Sequence, residues 1–183
     1  MKNFKIINLN LENKSVIVFD KPGNYLVVFK NLSGEYWFKI ISENVNVEIY
    51  GLFVGKNSDQ FNIRTIQHHI APNSSSNLLI KGVFFDKAKF FYRGLAKIEK
   101  NAQKSHAYQK NQNLVLSDEV DIDSRPDLEI EANDVFCTHG STTGYLNPEQ
   151  IFYLKTRGLS QKEAERILIE GFVAEIEEKI KSA

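Results

Sequence analysis

Short runs rich in Val, Ile, Phe and Tyr recur along the first 145 residues, among them FKIINLNL, SVIVFD, NYLVVFK, YWFKII, VNVEIYGLFV and QFNIRTIQHHI. They return every 8 to 12 residues or about that, with no insert long enough for a helix. Apolar and polar residues mostly alternate within each run, as half-buried strands require. Turn signals such as Lys21-Pro22-Gly23-Asn24 and Asn31-Leu32-Ser33-Gly34 stand between them, Pro fixing one backbone angle and Gly accepting a positive one. This texture predicts an all-β region over 1–145 and excludes helix over 4–53.

Sandwich, barrel and solenoid all satisfy the pattern. The chain has no Asn-Gly, Asp-Gly or Gly-Gly pair, and those pairs dominate two-residue hairpin turns. Hairpin meanders therefore lose ground to a parallel β-helix, in which three short strands per coil need only loose bends. No exact repeat period is visible.

Composition narrows the partners. With 42% apolar and 25% charged residues the chain is ordinary globular material. Its 23 basic and 23 acidic side chains cancel, so the overall field selects neither nucleic acid nor an anionic membrane. The longest apolar runs are four or five residues, against the ~20 that cross a bilayer. The alternating N-terminus lacks a signal-peptide block, which predicts a cytoplasmic protein. One cysteine excludes an internal disulfide framework. Residues 81–110 hold eight basic side chains and 118–134 hold eight acids; in stacked coils these would lie side by side on a solvated surface.

After residue 145 the period changes, predicting a helical region over 146–183. Asn147 caps a helix beginning at Pro148, with Gln150 reaching back, contacts through Ile151, Phe152 and Leu154, and Gly158 beyond its end. Ser160 with Glu163 forms a second capping box. Ala164, Ile167, Leu168, Gly171, Phe172, Ile176 and Ile180 then recur at the spacing of one buried face. A glycine on that face implies close approach by the sheet or by a partner.

Candidates for chemistry are few. Cys137 and His139 alternate along a strand, so both face one side, roughly 7 Å apart. Two donors do not complete a zinc or iron-sulfur site, and from the residues alone a buried structural cysteine beside a hydrogen-bonded histidine is the favoured reading. His68 and His69 face opposite sides, and His106 sits in a polar connection. No nucleophile elbow, phosphate loop or paired-cysteine pattern is present, so nothing supports an enzyme. Trp37 with its aromatic neighbours would suit a carbohydrate-binding surface only if it lined an exposed groove.

From about Gln67 to Phe172 the sequence resembles the core of the SufB/SufD family of iron-sulfur cluster assembly proteins. The likeness is carried by Gln103, by Asn113-Leu114-Val115-Leu116-Ser117, by Pro126 with Leu128-Glu129-Ile130, by Cys137-x-His139-Gly140, and by Phe152-Tyr153-Leu154 with Arg157-Gly158. It implies a right-handed parallel β-helix capped by two C-terminal α-helices. It further implies a non-catalytic scaffold that pairs with itself or a SufB/SufD-type paralogue and binds no nucleotide. A SufC-like ABC ATPase would dock on the helices, making Ile167, Leu168, Gly171 and Phe172 candidate partner-binding residues. Cys137-x-His139 is similar to the SufD-type branch, which implies candidate ligands for a transiently assembled iron-sulfur cluster, completed across a subunit interface. An adaptor that binds the ATPase without touching metal is the alternative. Relatives carry a longer N-terminal region than the about 65 residues that precede this likeness.

Overall fold

The computed structural model describes residues 3–183. Its strands are β1 (Phe4–Asn8), β2 (Val16–Phe19), β3 (Gly23–Lys30), β4 (Gly34–Ile40), β5 (Val45–Gly55), β6 (Gln60–His69), β7 (Ser75–Phe84), β8 (Lys89–Ile98), β9 (His106–Val115), β10 (Asp121–Ile130) and β11 (Phe136–Gly144). The helices are α1 (Leu9–Glu12), α2 (Pro148–Thr156) and α3 (Gln161–Lys181). Odd-numbered strands form a six-stranded sheet, and even-numbered strands a five-stranded one. Every pairing is parallel, so each strand bonds to the strand one coil away. The fold is a parallel β-helix with two C-terminal helices.

Two expectations need correction. A coil carries two strands, not three, because single left-handed residues turn the chain sharply between sheets. Asn31, Asn57 and Asp86 follow successive odd strands, and Asn44, Asn73 and Lys104 precede them, all with positive φ. Asn and Asp tolerate this conformation, and each corner bonds to the next coil: Asn57 N donates to Asp86 Oδ2 at 2.8 Å, and Val54 N of β5 to Asn31 Oδ1 at 2.8 Å. Helix also occurs before residue 53. The single turn α1 is capped by Asn8, whose side chain accepts from Asn10 N. It buries Leu9 in the core and bonds to the end of β3, Asn10 Nδ2 donating to Lys30 O at 2.8 Å.

The register reveals the hidden repeat: Asn46, Ser75, His106 and Phe136 occupy one column, a period of about 30 residues. Inward columns begin apolar. Val27, Ile49 and Leu78 stack in one, and Phe53, Phe84 and Phe90 pack ring to ring at centroid distances of 4.9 and 5.0 Å. Toward the C-terminal coils the interior turns polar, with Thr65, Gln67, His69, Ser76, Gln109, Asn111 and Asn113 all buried.

On the outer face of the even sheet, and in the turns that lead into it, the basic and acidic stretches do meet across neighbouring coils. Lys87 pairs with Glu119 at 3.1 Å, Arg93 with Asp123 at 2.8 Å and Lys97 with Glu129 at 2.6 Å. Arg93, then Arg125, holds the Asp123 carboxyl below its usual range, and the hydrogen bond to Glu129 raises Lys97.

The predicted caps are present at Asn147 and in the Ser160–Glu163 box. Residues Val173 and Ile176 of α3 pack on Leu52 and Val83 of the odd sheet. Lys81, nearly buried beneath the helix, donates to Phe172 O at 2.8 Å and Glu175 Oε2 at 3.3 Å. The helix α2 buries no residue: Ile151 and Leu154 are partly covered, whereas Phe152 is 68% exposed. Asn147 caps through Glu149 N, and no reciprocal bond from Gln150 forms. Gly171 is exposed, with nothing within 4 Å of where a Cβ would stand. The sheet therefore makes no close approach to it. No helix among the described residues is long and apolar enough to cross a membrane.

Candidate functional site

At the C-terminal end of the solenoid β10 and β11 are edge strands, as β1 and β2 are at the other end. At this edge of the odd sheet β11 pairs only with β9. Its backbone groups on the other edge are free to join another strand. The same holds for β10, which pairs only with β8. Around this end Leu128, Ile130 and Phe136 are exposed, Phe136 at 64%. Its ring meets that of His106 at 6.0 Å.

Cys137 and His139 lie in this last strand, in register with Ala107 and Gln109. Both therefore face the solenoid interior at its open mouth. Cys137 is half-buried against the cluster of Ala96, Ile98, Ala102, Ala107 and Ala132. That burial pushes its thiol pKa up, partly offset by a backbone hydrogen bond from Ala107. His139 is exposed. Among the described residues no three His, Cys, Asp or Glu side chains gather where a metal could be held. One chain thus supplies two donors here, and a metal or cluster would need further ligands from elsewhere.

Polar side chains line the mouth below this pair, and sequence reasoning missed them. Asn111 and Asn113 bond to each other, Asn113 Nδ2 donating at 2.7 Å to Asn111 Oδ1. Ser124 of β10 donates to Asn111 Oδ1 at 2.8 Å, and Ser141 of β11 donates to Ser124 at 2.9 Å. The available signal was the alternation in Gln109-x-Asn111-x-Asn113, which reads as an outer face unless the register is known. Deeper in, Gln67 donates to Ser76 Oγ at 2.7 Å, and His69 Nε2 shares that hydroxyl at 2.7 Å. Burial, with the charge of neighbouring His68 adding, lowers His69 to about 4. His68 points outward and meets Glu99 Oε1 at 2.7 Å, which lowers the Glu99 carboxyl.

A second surface lies between the helices. Glu149, Gln150, Tyr153, Leu154, Ile167 and Leu168 line a groove of about 370 Å³, with Phe152 and Tyr153 exposed beside it. Of the four helix residues singled out by sequence, Ile167 and Leu168 meet in this groove and Gly171 stands open. Phe172 instead turns to the sheet, where Lys81 lies 5.1 Å above its ring. The Trp37 indole N–H bonds to Glu35 at 2.7 Å, and its ring stands edge-on to His68.

Residues 30–172 match the family described as SUF system FeS cluster assembly, SufBD core domain. The match begins well before Gln67, at the end of β3, and takes in every strand from β4 onward. The iron-sulfur cluster assembly protein SufD of Escherichia coli K12 is 34% identical over 139 residues, covering 76% of this chain and 33% of the relative. SufD of Bacillus subtilis 168 is 34% identical over 145 residues, covering 74% and 33%. An iron-sulfur cluster assembly SufBD family protein of Synechocystis is 37% identical over 109 residues, covering 60% and 24%. The chain therefore spans about a third of the length of the SufD relatives it matches. A parallel solenoid whose coils from residue 30 onward carry the core-domain pattern, with Cys137 and His139 at its C-terminal end, belongs to the SufB/SufD family.

Proposed function

We propose that the chain is a non-catalytic scaffold subunit for iron-sulfur cluster assembly in the cytoplasm. It pairs through its bare C-terminal end with a second copy or a SufB/SufD-type paralogue, and presents Cys137 and His139 at the junction. The observation that carries this reading is their placement: two donors on the last, half-paired strand, too few to hold a cluster yet open to a neighbour. Here the cluster is cargo, and the remaining ligands come from the other subunit. An ABC-type ATPase docks on the groove between α2 and α3, where Ile167 and Leu168 lie with Tyr153 and Leu154; nucleotide belongs to that partner. The names of the SufD relatives support the assembly role.

The test is anaerobic reconstitution of the chain with its paralogue, the ATPase, iron and sulfide. Cluster absorbance should develop with the native chain and be lost in Cys137→Ala with His139→Ala. Undiminished absorbance in the double variant would remove the ligand role. The packing of Cys137 against the alanine cluster favours a second reading, a structural adaptor for the ATPase. Retained ATPase capture by the double variant, with metal at background in both proteins, selects it.

A further inference from the structure

Gln109 is fully buried, yet neither its amide nitrogen nor its amide oxygen has a hydrogen-bond partner in the protein. The neighbouring amides differ in degree: Asn111 and Asn113 are bonded at both amide atoms, and Gln67 donates to Ser76 while its Oε1 has no partner. An unpartnered buried amide opposes folding, and an apolar side chain of similar volume would remove that penalty. The column already offers the pattern, since Val27, Ile49 and Leu78 precede Gln109 in it. The opposite wall is nevertheless shaped around the amide. Gly94 faces it from β8, and a methyl group there would collide with both the Gln109 amide and the Tyr92 hydroxyl. Folding does not require this group, and the chain makes room for it.

On the open side the ladder neighbour of Gln109 is His139. Rungs of a sheet are about 4.8 Å apart, so inward side chains on adjacent strands lie within reach of each other. We infer that Gln109 is a positioning residue for His139: the two are not bonded in the structure, and when the exposed His139 ring turns inward the amide oxygen accepts the N–H of one ring nitrogen and leaves the other, with its lone pair, facing the mouth. A ligating imidazole needs such an acceptor behind it to fix tautomer and ring plane. This inference rests on the scaffold reading for its purpose but not for its test.

The test is ring-nitrogen NMR of the full chain labelled in histidine, at mildly alkaline pH, without iron, ATPase or paralogue. The His139 signals are assigned by their loss in His139→Gln. The native chain should show His139 held predominantly in one tautomer. Gln109→Leu should return it to the mixed population of a free imidazole while melting no lower than the native chain, and Gln109→Glu, which keeps an acceptor, should restore the native pattern. Unchanged His139 shifts in Gln109→Leu would overturn the inference, as would a free-imidazole pattern in the native chain. Should Gln109→Leu not fold, Gln109→Met gives the same reading, and unchanged shifts there count equally against it. Failed cluster reconstitution with a Gln109-dependent tautomer would discard the ligand role while leaving the contact in place.

Discussion

His69 makes the stability of this solenoid depend on acidity. Its ring is fully buried between Ile40 and Ile98 in the ladder and bonds to Ser76 Oγ at 2.7 Å. Unfolded, it takes up a proton near the ordinary value of 6.5; folded, burial holds it neutral down to about 4. Between those values the unfolded chain binds the extra proton, so stability is fully present above the window and declines as pH falls through it. The difference corresponds to about 3 kcal/mol, of which about 2.5 kcal/mol is lost between about pH 7.5 and about pH 4.5. Urea denaturation of the native chain and of His69→Leu at both acidities isolates the effect. Leucine suits the aliphatic column, and Ser76 keeps Gln67 as a partner. The native chain should lose about 2.5 kcal/mol more than the variant over that interval. Parallel losses in the two proteins would refute the reasoning.

Gly94→Ala should cost about 1 to 3 kcal/mol by overpacking against Tyr92 and Gln109, read as a lower denaturation midpoint with unchanged m-value. Lys81→Met should loosen α3 by about 1 to 3 kcal/mol, because it removes the donor to Phe172 O and Glu175. Hydrogen exchange should then quicken in residues 161–181 and stay unchanged in the strands; a uniform change would show that the lysine does not pin the helix.

Alternation and caps were legible in sequence because they are local. The Ser160–Glu163 box lies within one turn, and the strand runs need only their own period of two. The two-strand coil was hidden because its corners depend on single residues such as Asn57 and Asn73 in left-handed backbone, where no paired turn motif marks them. The polar interior was hidden for another reason. In AYQKNQNLV the residues at Tyr108, Lys110 and Gln112 face outward and Gln109 and Asn111 inward, so a polarity pattern cannot say which face is the core. The open surroundings of Gly171 and the exposed side of α2 were illegible because helical periodicity records an apolar stripe without recording what covers it.

The stacked corners have a consequence for how the molecule is made. No strand must wait for a partner farther away than one coil, so the structure can be laid down turn upon turn as the chain emerges, each finished turn templating the next. Wear should run in the opposite direction. The final turn rests on one neighbour only, so it is added last and loosens first, and the thiol and imidazole it carries occupy the rung that a docking subunit would do most to steady.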